Sequence, residues 1–100
     1  MQSSYEDTFV RDMGCTVREW LGWLPDAVGD RRWSLAPGEA TVDVAPGVQL
    51  RLRWRELPPR VIALMRMPRL EVQFQFHGST AEQRYAFMKR FDLYMQRGGG

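Results

Sequence analysis

The run Leu70-Glu-Val-Gln-Phe-Gln-Phe76 constrains this chain more than any other stretch. Apolar and polar residues alternate through it without a break. A period of two puts Leu70, Val72, Phe74 and Phe76 on one side of an extended strand. His77-Gly78-Ser79 follows, and then a segment in which Tyr85, Phe87, Met88, Phe91, Tyr94 and Met95 form one broad apolar stripe at helical spacing. Ser79-Thr-Ala-Glu82 reads as a capping box, in which a hydroxyl and a carboxylate each satisfy an orphan amide of the first turn. Gly78 suits the sharp exit from strand to helix. A half-buried strand beside a one-faced helix calls for a layered fold, with one sheet face against helices.

Two more strands can be read upstream. Val48, Leu50, Leu52 and Trp54 alternate with Gln49, Arg51, Arg53 and Arg55. Ala45-Pro46-Gly47-Val48 has the Pro and Gly of a type II turn and leads back to Ala40, Val42 and Val44. Pro58-Pro59 is expected to end the second strand, Val61 to Met67 to form a central strand, with a short helix after the prolines as the alternative, and Pro68-Arg69 to turn into the strand at Leu70. Near the start, Thr16-Val-Arg-Glu19 is a second capping box, predicting a helix over about 16–24 that Pro25 terminates. Phe9 and Met13 extend its apolar spacing, so Tyr5 to Met13 reads as a further turn of helix or an extended lead-in. Residues 25–39 read as a long connection that pins Trp33. The expected fold class is α+β: a two-layer sandwich of a three- or four-stranded antiparallel meander sheet, with an N-terminal and a C-terminal helix on one face. Residues 1–97 form a single domain in this reading, and 98–100 a flexible Gly tail.

Composition supports a packed domain: 44% of the 100 residues are apolar and 12% aromatic. No apolar run approaches the ~20 residues of a membrane span. Met1 to Asp7 is polar and acidic, the wrong chemistry for a secretory signal, and the single cysteine, Cys15, makes no internal disulfide. A cytoplasmic setting is therefore expected. The net charge of +2 hides an asymmetry. Residues 1–47 set four Arg against eight carboxylates, for −4, and residues 48–100 set ten basic groups against four carboxylates, for +6.

Function has fewer markers. Arg51, Arg53 and Arg55, with Gln73, Gln75 and His77 on a neighbouring strand, fall on the polar face and make the candidate partner-binding surface. Sheet readers of RNA stack bases on displayed aromatics, whereas Trp54, Phe74 and Phe76 lie on the opposite, apolar face. Gly78, Ser79 and Thr80 form a candidate anion site at a helix start. Cys15 and His77, one of each type, carry no catalytic signature, and the scattered acids offer no metal-ligand spacing. No cofactor is expected. Arg84 and Asp92 fall near or within the apolar stripe of the last helix and need partners there. The terminal Arg97-Gly-Gly-Gly100 resembles the tail of ubiquitin-like modifiers and sulfur carriers, but those tails follow a strand and this one follows a helix. The function read from the sequence is a small protein-binding or regulatory domain, with a protein partner or a second copy of itself as the expected partner and no membrane. The alternatives are a nucleic-acid-binding module using the basic face, and a small-ligand or anion-binding enzyme or carrier.

Overall fold

A computed structural model describes residues 4–97. The order is β1 (Thr8–Met13), α1 (Val17–Val28), β2 (Trp33–Ala36), β3 (Glu39–Ala45), β4 (Val48–Ile62), β5 (Met65–His77) and α2 (Ala81–Arg97). The strands form one antiparallel sheet ordered β1-β5-β4-β3-β2. β2 to β5 run as a meander, and β1 closes the far edge beside β5. The architecture is α+β, but the sheet has five strands rather than three or four.

Both additional strands come from segments that read otherwise in the sequence. Phe9 and Met13 are four residues apart, which fits a strand face as well as a helix stripe. Between them Arg11 also points to the helical side, and a charge there hides the alternation. β2 is only Trp33–Ala36, shorter than a periodicity can register.

Both helices pack on the same face of the sheet. Ala40, Val42, Leu50, Leu52, Leu70, Val72, Phe74 and Phe76 meet Trp20, Leu24, Ala27, Val28, Phe87, Met88, Phe91 and Met95 in one buried cluster. The rings interlock edge to face: Phe74 lies 5.6 Å from Phe91 and Phe76 6.0 Å from Phe87. Trp20 is wholly buried against Trp54 and Phe91.

Thr16 and Glu19 make the expected capping box of α1, with mutual hydrogen bonds of 3.0 and 2.9 Å. Pro25 does not end that helix, which continues to Val28 because Ala27 and Val28 belong to the buried face. Packing of that last turn outweighs the hydrogen bond that proline forfeits. The box of α2 is displaced by one residue. Thr80 Oγ1 accepts from the Gln83 amide and Gln83 Oε1 from the Thr80 amide, while the Ser79 hydroxyl serves Arg84 instead. Gly78 has φ 79°, and a Cβ there would collide with the Gly47 carbonyl, so this position requires glycine.

The largest departure lies between Leu57 and Arg69. Pro58-Pro59 does not end β4; the strand absorbs the pair in a register shift between Leu57 and Arg60 and runs on to Ile62. Val61 to Met67 is not a central strand but the end of a long hairpin, with Val61 opposite Arg66 and Ile62 opposite Met65. Pro68-Arg69 lies within β5 rather than in a turn. The reversal occurs at Ala63-Leu64, where Ala63 has φ 54°, a left-handed conformation that Gly or Asn normally supplies.

Candidate functional site

The β4–β5 register places Gln49 opposite His77, Arg51 opposite Gln75, Arg53 opposite Gln73 and Arg55 opposite Glu71. Directly opposed residues share a side of the sheet. Arg51, Arg53, Arg55, Gln73, Gln75 and His77 are thus gathered into one patch on the face away from the helices. β1 adds Thr8, Val10 and Asp12 along one flank, and β3 adds Glu39, Thr41 and Asp43 along the other.

Carboxylates answer most of the basic groups. Arg55 Nε donates to Glu71 Oε1 at 2.8 Å, and Arg69 Nε to Asp12 Oδ2 at 3.0 Å. Arg51 and Glu39 stand 4.0 Å apart. The hydrogen bonds from Arg55 and Arg69 hold Glu71 and Asp12 below the usual carboxylate range. Among the described residues Arg53 is the one member of the Arg row without a carboxylate partner. The patch is polar and nearly charge-balanced, and its one ring is the His77 imidazole at its end; it carries no Phe, Tyr or Trp.

The same face continues into the arm. β3 reaches only Arg53 and β1 only Leu70, so among the described residues the hairpin beyond Leu57 pairs with itself alone. Its end is apolar and uncovered: Leu64 is 100% exposed, Met65 65%, Val61 60% and Ile62 56%. Arg60, Arg66 and Arg69 accompany these side chains, and no carboxylate occurs between Leu57 and Leu70. Pro58, Pro59 and Pro68 remove amide donors from the arm, as edges protected from strand addition do. Sequence periodicity missed this element because an apolar run of this length fits a buried strand. The available signal was the Arg residues spaced through it.

At the arm's base, Val17 and Leu21 of α1, Leu35 and Ala36 at the end of β2, Pro37 and Gly38 of the turn that follows, and Trp54 line a shallow, mainly apolar groove. The Trp54 amide donates to the Gly38 carbonyl at 3.0 Å, which ties the turn to the root of the arm.

The other candidates are dispersed. Cys15 is buried just after β1, whose end Met13 pairs with Leu70. His77 lies exposed at the far end of β5, roughly 23 Å away at strand rise. Burial, with the nearby Glu19 charge, pushes the Cys15 thiol up to about 11. Gly78, Ser79 and Thr80 sit at the start of α2, where the cap and the Arg84 guanidinium already use their oxygens. A shallow depression nearby is lined by Asp43, Pro46, Gln49 and His77. Among the described residues no group of three or more His, Cys, Asp or Glu is placed to hold a metal, and no helix is long and apolar enough to cross a membrane. The Gly98 to Gly100 tail lies outside the described residues.

The polar groups on the stripe of α2 have internal partners. Asp92 accepts from the Arg11 guanidinium and from the Tyr5 hydroxyl, and Arg84 Nε donates to the Tyr5 carbonyl at 2.8 Å. Burial works against the Arg11 charge, but the hydrogen bonds and charge of Asp92 more than offset it and hold the guanidinium above its ordinary pKa. These contacts lock α2 to β1 and to the N-terminal segment. Arg31 and Arg90 serve the C-terminal end of α1, donating to the Val28 and Asp26 carbonyls. Burial, and then the neighbouring Arg90, lower the pKa of Arg31.

The chain matches no protein-family model, no curated protein and no solved structure at the level taken as significant.

Proposed function

We propose that this chain is a small protein-binding domain that docks through the hairpin arm, with the polar outer face of the sheet flanking the contact. The observation that carries this reading is the uncovered apolar end of the arm. Ile62, Met65 and Met67 on one side of the arm, with Leu64 at its tip, form an apolar patch of roughly 500 Å², at the upper end of what monomeric surfaces leave bare. Among the described residues the buried core includes none of these side chains and closes at Leu70.

The basic row supports this reading in a secondary role. Ion pairs within the sheet leave it little net charge with which to attract a polyanion, and without Phe, Tyr or Trp it offers no broad stacking platform. A polar, balanced face beside an apolar projection matches the rim-and-centre pattern of protein interfaces.

The test compares wild type with Leu64→Asp as immobilised bait in lysate from producing cells. Proteins held by wild type and released by the variant support docking through the arm. An identical set on both baits contradicts it.

A further inference from the structure

The arm and the groove lie at the same end of one chain, and this juxtaposition suggests what covers each. The arm is an extension of β4 and β5. The groove sits at its root, between the start of α1, the β2–β3 turn and Trp54. Building on the docking reading above, we infer that the partner is a second copy of this chain, with each arm seated in the groove of the other.

Three observations favour that occupant. The first is symmetry. Because both surfaces are at one end, a single twofold axis there satisfies two arms and two grooves together, giving a closed, isologous contact. The second is area. The exposed parts of Ile62, Leu64, Met65 and Met67, with Leu21 and Leu35 at the groove, amount to roughly 700 Å² per chain, so a pair would bury up to ~1,400 Å², within the size range of stable interfaces. The third is charge. The groove lining carries no charged side chain, so it sets no like charge against Arg60 and Arg66. Arm against arm would instead set Arg60 and Arg66 against their own copies.

The prolines decide how the contact is made. With Pro58, Pro59 and Pro68 in the arm, its backbone is a poor template for an added strand. The contact therefore rests on side chains, and Leu64, the most exposed of them, is the anchor.

Sedimentation equilibrium of the full chain tests this, with fold integrity of each variant checked by near-ultraviolet circular dichroism. Wild type is expected to dimerise, and Leu64→Asp at the arm and Leu35→Asp at the groove each to give a folded monomer. Mixing Leu64→Cys with Leu35→Cys under mild oxidation is expected to yield a disulfide-linked pair containing one of each variant. Buried Cys15 stays out of this exchange. A dimer lost with Leu64→Asp but not with Leu35→Asp, or one giving no mixed disulfide, overturns the arm-in-groove arrangement. A monomeric wild type whose Leu64→Asp bait sheds another protein overturns the second copy and leaves the docking reading standing. A monomeric wild type whose two baits hold the same proteins contradicts both.

Discussion

Arg11 on β1 and Asp92 on α2 form a two-pronged ion pair, Arg11 Nη1 reaching Oδ1 and Nη2 reaching Oδ2 at 3.0 Å. The guanidinium also lies over the rings of Tyr5, Phe9 and Phe74, 5.5–5.8 Å from their centroids. The pair fastens the edge strand to the last helix. Asp92→Ala leaves a partly buried cation with aromatic neighbours but no carboxylate, and is expected to cost about 1–3 kcal/mol. Arg11→Met combined with Asp92→Leu is expected to recover most of that loss, since an apolar pair of similar size suits the site. Urea unfolding of the two variants measures the difference. Equal destabilisation in both would show that the charges contribute net stability.

Cys15 gives the chain an alkaline limit. Its thiol titrates near 11 in the folded state against 9.0 for an unperturbed thiol. The folded form therefore holds its proton more tightly, and the stability this contributes is complete below pH 9 and lost as pH rises through 11. Tyr5, raised by burial and by Asp92, acts in the same direction. The melting temperature is expected to fall between pH 9 and 11, and to fall less steeply in Cys15→Ala. A thiol reagent at pH 8 should label the native protein slowly and the urea-unfolded protein at once.

Ala63 holds a left-handed backbone at the arm's reversal. That conformation costs a non-glycine residue about 1–2 kcal/mol, against about 0.5–1 kcal/mol of extra chain entropy lost by glycine. Ala63→Gly is expected to slow amide exchange at Arg60 to Met67 several-fold. The melting temperature of the domain should barely move, because the arm adds nothing to the core. Faster exchange in the variant would contradict this account of the turn.

The outer face is charge-balanced by Glu71 and Asp12. Glu71→Gln and Asp12→Asn free Arg55 and Arg69, and are expected to delay elution from a heparin column to higher salt with little change in stability, because both pairs are solvent-exposed. Unchanged elution would mean that the Arg row was never masked.

Much of this architecture is legible from period-two and capping patterns. Leu70 to Phe76 and Val48 to Trp54 place the buried face correctly, and Thr16 with Glu19 starts α1 where expected. The rest is hidden for physical reasons. Arg11 breaks the alternation of β1 because its partner, Asp92, lies 81 residues away. Pro25 stays inside α1 because tertiary burial of Ala27 and Val28 overrides a local breaker. The arm is hidden because Ala63 stands where turn chemistry calls for Gly or Asn, so no residue announces the reversal. The six-residue polar patch was visible as strand alternation, whereas its neutralisation by Glu39, Glu71 and Asp12 depends on register across four strands.

The docking role of the arm is tested most directly by a photo-reactive benzoylphenylalanine in place of Leu64, expressed and irradiated in the producing cells. Exposed as Leu64 is, the probe is expected to give one discrete adduct, at twice the chain mass if the partner is a second copy. Irradiation that yields only the free chain would contradict the arm as a contact surface.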